Sequence, residues 1–281
     1  MDRFPTAVSP LSTSPVKEPS GDSGSRDGVL LIGHGTRQAN GTDQFFQLAD
    51  QLQHVMGKVP VAACLLEFQE PTIAQAWASL VDQGVTRIWA APLLLFAAGH
   101  AKQDIPTILA ECQRDSPEIV CQMARPLSRQ RQLIALVLQR IHARLASGGS
   151  TFESTALVMV GRGSYDPCAQ ADMRVLSTVI GSRLRIDQVE TAFYAMAEPR
   201  LPTVLDSVAS SVLARDSDRP QVLVQPHLLF DGRLYRSIQQ QIEEAADRHP
   251  EVTFVLGDYL GPDRLVAEAI AARVRDAIQV S

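Results

Sequence analysis

The stretch Val29-Leu30-Leu31-Ile32-Gly33-His34-Gly35-Thr36-Arg37 decides the reading of the fold. Four consecutive aliphatic residues stopped by glycine spell a strand buried on both faces, the kind found in parallel sheets, followed by a tight turn. The turn carries a histidine between two glycines, where no Cβ holds backbone or ligand away. Ligands of open parallel sheets collect outside the carboxyl ends of the strands, so His34 is the first candidate functional residue. Outward from this stretch, strands and helices alternate. Strands are expected at 29–32, 61–66, 87–95 and 119–123, and helices over 38–56, 70–81, 102–114 and 129–145. Helices of this length between short apolar strands predict an α/β fold with a four-stranded parallel sheet covered on both sides.

The same pattern returns further along the chain. Val160-Gly161-Arg162-Gly163-Ser164 stands 128 positions after Ile32-Gly33-His34-Gly35-Thr36, and Glu198-Pro199 stands 128 after Glu70-Pro71. Pro226-His227-Leu228-Leu229-Phe230 follows Pro92-Leu93-Leu94-Leu95-Phe96 by 134, the six extra residues falling in the polar stretch near 215–220. A self-match at so long a period is a duplicated domain, not a solenoid repeat. The expected organisation is a Ser- and Pro-rich disordered tail over 1–27, a first domain over 28–146, a linker over 147–153, and a second, homologous domain over 154–281.

Composition removes several function classes. The formal net charge of −5 argues against a nucleic-acid partner, which calls for a basic surplus. The longest apolar run, 88–99, is interrupted by Pro92 and falls short of the ~20 residues a membrane helix needs. Cys64, Cys112, Cys121 and Cys168 show no C-x-x-C spacing, so buried free thiols in a reducing, cytoplasmic setting are expected.

Three polar residues end three successive strands of the first domain: His34, Glu67 and His100. If the first strand lies between the second and third, their ends stand ~5 Å apart and the side chains can share one cleft. Two imidazoles and a carboxylate suit a borderline divalent metal such as Co²⁺, Ni²⁺, Fe²⁺ or Zn²⁺. Either imidazole can also take up a proton near neutral pH.

At this point the residues resemble a family, the class II chelatases that insert metal into sirohydrochlorin (the CbiX/SirB group). The resemblance rests on the run 31–37, on Leu66-Glu67-Phe68-Gln69-Glu70-Pro71-Thr72-Ile73, and on the run from Pro92 through Leu95, Phe96, Ala97, Ala98, Gly99, His100, Ala101, Lys102 and Gln103 to Asp104-Ile105-Pro106. The tandem arrangement looks like the long, two-domain form of CbiX. The resemblance implies that His34 and His100 bind the metal and that one of them accepts pyrrole protons. It implies that Glu67 contacts substrate or assists proton transfer, and that 95–100 lines the substrate cleft. The metal is then a substrate and no permanently bound cofactor is expected. The long form points to Co²⁺ and cobalamin synthesis, with Fe²⁺ and siroheme as the alternative and Ni²⁺ a third metal. Sirohydrochlorin carries eight carboxylates, so Arg37 and Lys102 are candidates for the cationic rim. A fused pair is expected to work as a monomer.

The second domain departs from this set. Arg162 replaces the first histidine, Ala195 stands for Glu67 and Leu234 for His100. It is expected to keep the fold without the catalysis, Arg162 serving as a carboxylate donor or as a plain surface arginine. His54, His142 and His249 are expected to be exposed and idle; His227, at a strand end of the second domain, is expected to be packed or satisfied, with ligand contact as the alternative. Asp104 reads as a helix cap with Pro106 in the first turn. A tetrapyrrole or metal carrier without catalysis is the alternative of a different class. Phosphoryl transfer through His34 is a third, weakened by the lack of clustered arginines around that turn.

Overall fold

A computed structural model describes residues 26–97, 103–148, 155–215 and 220–280. The first sheet is built from β1 (Asp27–Gly33), β2 (Val61–Leu65), β3 (Arg87–Pro92) and β4 (Val120–Met123), with α1 (Ala39–Met56), α2 (Ile73–Asp82), α3 (Ile105–Asp115) and α4 (Arg131–Gly148) following the strands in turn. The second repeats the plan with β5 (Thr155–Gly161), β6 (Val189–Phe193), β7 (Gln221–Pro226) and β8 (Thr253–Leu256), and α5 (Pro167–Leu184), α6 (Leu201–Leu213), α7 (Arg233–Arg248) and α8 (Arg264–Val280). Both sheets are parallel, in the orders β2-β1-β3-β4 and β6-β5-β7-β8. The glycine-bracketed turns therefore leave the sheets at equivalent central strands. Ile32 lies opposite Cys64 and Pro92, and Val160 opposite Ala192 and Pro226, so the two sheets also share one register.

Alternate residues of the strands feed different cores, as a period of two requires. Leu30 and Ile32 pack outward with Ile73, Trp77 and Leu80 of α2 and Ile105 and Leu109 of α3. Val158 and Val160 pack with Leu201, Leu205 and Val208 of α6 and Ile238 of α7. Val29, Leu31, Leu157 and Met159 point inward to one continuous core shared by α1, α4, α5 and α8. The result is five layers, with four helices pressed between two sheets. Within them the last helices are exchanged. α8 packs on α1 and on β3 of the first sheet, whereas α4 packs on α5 and α8. Arg140 of α4 donates to the Leu260 carbonyl and pairs with Asp263 at 3.1 Å, and Arg144 donates to the carbonyl of Leu256 at the end of β8. In return, Arg273 of α8 donates to the carbonyl of Leu127.

Several sequence expectations shift. The strand expected over 87–95 ends at Pro92, where Leu93 N–H donates to the Ile32 carbonyl and Leu94 N–H turns back onto the Pro92 carbonyl at 2.9 Å. That turn carries 93–96 off the sheet and over its end. α4 runs to Gly148, two residues into the stretch read as a linker, and 149–154 lie outside the described residues. α2 begins with a full capping box, the Thr72 hydroxyl accepting from Gln75 N–H and the Gln75 side chain from Thr72 N–H. Asp104 makes no side-chain cap on α3, contrary to its reading as a cap, although Pro106 does sit in the first turn. His249 is not idle: it bonds the Asp206 carboxylate at 2.9 Å beside Arg248. All four cysteines are free. Burial pushes the Cys64 thiol up, and that of Cys121 to about 12, so neither supplies a thiolate. No helix among the described residues is long and apolar enough to cross a membrane.

Candidate active site

The site is built where β1 and β5 end. Beyond each central strand the ladder continues for two more bonds: Leu66 N–H to Gly33 C=O at 2.9 Å and Glu67 N–H to His34 C=O at 3.1 Å. Their counterparts are Tyr194 to Gly161 and Ala195 to Arg162, both at 2.9 Å. The next residue then passes directly over a carbonyl. Gly35 and Gly163 both have φ of +91°, and a Cβ on either would overlap the carbonyl oxygen of Glu67 or Ala195. Glycine at this place is thus required by φ and by contact together. It fixes the stem from which His34 projects in one half and Arg162 in the other.

These two side chains meet in one cleft. A cavity of about 430 Å³ is lined by His34, Leu95, Phe96 and Asp104 from the first half and by Arg162, Phe193, His227 and Leu228 from the second. A second, of about 630 Å³, is lined by His34, Arg37, Phe45 and Phe68 and by Arg162, Leu229, Arg233 and Leu234. His34 and Arg162 belong to both, so the two cavities are lobes of one space at the carboxyl ends of both sheets. The walls are mostly aliphatic and aromatic, with few charges. The Arg37 guanidinium lies over the Phe68 ring, 4.9 Å from its centroid, a cation–π contact. Three guanidiniums, of Arg37, Arg162 and Arg233, flank the larger lobe. The carboxylate nearest them, Asp231, is engaged by Asn40 Nδ2 at 2.9 Å and by Arg236.

Of the residues singled out from the sequence, His34, Arg37, Leu95, Phe96 and Arg162 line this space. Glu67 and Ala97 are half-buried and line neither lobe. Ala98, Gly99, His100 and Lys102 lie outside the described residues. Among the described residues no three His, Cys, Asp or Glu side chains converge as a metal cage; His34, Asp104 and His227 share a lobe and carry donor atoms of the kind that hold a cation. Sequence reasoning missed Asp104 and Arg233 as wall residues, and for His227 it preferred packing to the cleft contact its strand-end position also allowed. Leu228 and Leu229 were legible, standing 134 positions after Leu94 and Leu95. Arg233 carried no such signal. His227, taken as packed, is buried beside the Phe96 ring at 5.3 Å, and burial lowers its pKa to about 4, keeping the imidazole neutral.

Comparison with known proteins agrees with this plan at full length. A curated sirohydrochlorin ferrochelatase of Priestia megaterium is 29% identical over 249 residues, covering 89% of this chain and 90% of the relative. A sirohydrochlorin cobaltochelatase of the same organism is 25% identical, covering 83% of this chain and 74% of the relative. The solved structure of SirB from Bacillus subtilis with Fe³⁺ superposes with a TM-score of 0.78 at 25% identity, over 90% of this chain and 95% of that one. The family model described as CbiX matches twice, at residues 28–144 and again at 156–277. With its two copies laid on two like sheets that close a single cleft, this chain belongs to the CbiX family.

Proposed function

We propose that the chain is a sirohydrochlorin metal chelatase, a lyase-class enzyme that exchanges two pyrrole protons of the tetrapyrrole for one divalent metal ion. The observation that carries this reading is the shared cleft: an imidazole, His34, faces a large apolar slot flanked by Arg37, Arg162 and Arg233. A flat macrocycle rimmed by carboxylates needs apolar walls for its faces and guanidiniums for its edge. Its two N–H groups need a base that also releases the metal. A neutral histidine does both, because it accepts a proton near neutral pH and binds a borderline cation weakly when few other ligands close around it.

In this reading His34 accepts a pyrrole proton and holds the incoming metal, with His100 as its partner ligand and Glu67 and Asp104 as nearby carboxylates that carry protons away. Arg162 binds a substrate carboxylate from the opposite wall, so the second half acts as a binding surface without chemistry of its own. In the same reading the stretch from Leu95 to His100 lines the substrate cleft, and Lys102 belongs with Arg37 to its cationic rim. Both walls come from one chain, which supports a site complete in the monomer. The free cysteines support a reducing, cytoplasmic setting. The metal and the ring are both substrates, and the relatives' names cover both iron and cobalt. Co²⁺ is the metal expected from the sequence.

The test is anaerobic insertion followed by tetrapyrrole absorbance, with Co²⁺, Fe²⁺ or Ni²⁺ in parallel and protein-free controls. Acceleration by the parent protein and its loss, by about 100-fold or more, in His34→Ala at unchanged melting temperature is the expected result. Binding without acceleration would make the protein a carrier, and undiminished turnover in His34→Ala would remove the imidazole from the chemistry.

A further inference from the structure

His227 is the least explained side chain near the cleft. It follows Pro226 at the end of β7, and its backbone N–H donates to the carbonyl of Val160 at 2.8 Å, which seats it beside the β5 turn that carries Arg162. The residue is 2% exposed, and neither Nδ1 nor Nε2 has a hydrogen-bond partner. A neutral imidazole has one N–H and one lone pair, and leaving the donor buried and unsatisfied is costly enough that native proteins seldom do so. Packing does not explain the choice. The residue at the equivalent place in the first half is Leu93, which is equally buried and lines the same cavity. An aliphatic side chain therefore fills that strand-end position adequately, and the second half has put a hydrogen-bonding ring there instead. The surroundings are mostly apolar, with Leu94, Leu95, Phe193 and Met173 in the same wall, and His34, Asp104, Ser164 and Gln170 make up the polar part of the lining. The charged group of the second half that opens onto this lobe is Arg162.

We propose that the smaller lobe receives one carboxylate arm of the tetrapyrrole, with the charge met by Arg162 and a hydrogen bond donated by the His227 imidazole N–H. This deepens the chelatase reading and rests on it. The lobe's volume of about 430 Å³ admits a short carboxylated side chain, and a donor in low-dielectric surroundings holds a charge more strongly than one in water. His227 is in this role a binding residue that seats the ring. It is outside the chemistry of His34. Burial holds the imidazole neutral down to about pH 4, so it donates a single N–H throughout the working range.

The experiment measures metal-free sirohydrochlorin affinity, by quenching of the tetrapyrrole fluorescence, for the parent, His227→Leu and His227→Gln. Leucine copies the residue of the first half, and glutamine restores a donor. The expected result is about a tenfold loss of affinity in His227→Leu, recovered to within about threefold in His227→Gln. The leucine variant should melt no lower than the parent, because an unsatisfied buried polar group has been removed. Under turnover KM should rise while kcat at saturation holds. Parent-like affinity in His227→Leu overturns the proposal. So does a fall confined to kcat, or weakened binding of Co²⁺ alone, either of which would assign the ring to the metal or the proton. If the parent itself fails to bind sirohydrochlorin, the chelatase reading falls, a result plainly different from a parent that binds and a leucine variant that matches it.

Discussion

Replacing Gly35 by alanine isolates what the glycine bracket around His34 contributes. Its φ of +91° lies where an L-residue is strained by about 1–3 kcal/mol. The added methyl would also overlap the carbonyl of Glu67, and that carbonyl belongs to backbone held on both sides. Glu67 N–H donates to His34 at 3.1 Å, Leu66 N–H to Gly33 at 2.9 Å, and Gln69 N–H returns to the Glu67 carbonyl at 3.0 Å. Relieving the overlap moves this segment and breaks at least one of those bonds, about 1 kcal/mol more. The expected loss is about 3 kcal/mol in all. Gly57 provides the control. It also has positive φ, +65°, with ψ of −112° outside the left-handed helical well, but no atom stands within 4 Å of the place its Cβ would take, so Gly57→Ala carries the dihedral strain alone, about 2 kcal/mol. Urea unfolding of the parent and both variants reads the difference, and the insertion assay should show Gly35→Ala impaired and Gly57→Ala normal. Equal stability losses at the two sites would refute the claim that close approach to Glu67 dictates the glycine.

Three further outcomes are expected. Asp172→Asn should lower stability by about 1 kcal/mol, because Asp172 ties the halves through Arg129 at 2.6 Å and Ser128 Oγ at 3.1 Å; both charges are partly exposed, so 1 M salt should shrink the difference, and a loss indifferent to salt would contradict the ionic account. His227 takes up a proton near pH 6.5 when unfolded but only near pH 4 when folded, so its contribution is fully present above about pH 6.5 and up to about 3 kcal/mol is lost as pH falls toward 4; His227→Leu should flatten that part of the stability profile, and an unchanged slope would show another group titrating. Arg162→Ala should raise KM for the tetrapyrrole about tenfold or less with kcat nearly intact, whereas abolition of turnover would put the second half into the chemistry.

The sheets were legible because each central strand is an unbroken aliphatic run stopped by Gly33 or Gly161, and because the repeat offset carries one register onto the other. The exchange of last helices was not. An amphipathic stripe on α4, with Leu133, Leu136, Val137 and Ile141 buried, says that a face is covered but does not say by which sheet. The end of β3 was misplaced because 93–95 is as apolar as the strand before it; only the missing N–H of Pro92 and the turn that follows mark the break. In the site, the glycines and the histidine announce themselves locally. Asp104, Arg233 and His227 do not, since each owes its place to chain segments far away in sequence. Glu67 illustrates the converse, a residue at the right strand end whose side chain lines neither lobe.

The helix exchange gives a structural part to a half that carries Arg162 and Ala195 where the first half has His34 and Glu67. Val266, Ile270 and Val274 of α8 are completely covered, and the alanines at 267, 269 and 271 let that helix lie close on α1 and β3. Burying three such aliphatic side chains contributes roughly 5–9 kcal/mol before the entropy of ordering them is subtracted, large beside the narrow margin by which a domain is stable. The first sheet therefore depends on a helix encoded at the far end of the chain, while α4 packs on α5 and α8 and ties the end of β8 through Arg144. The cleft depends on both, since the wall opposite His34 is Arg162, Phe193, His227 and Leu228. The side chains at 162 and 234 face the space and lie outside the core that α8 builds. In the proposed reading the second half serves binding without chemistry, while its strands, α8 and its turn glycine carry packing on which the first half rests.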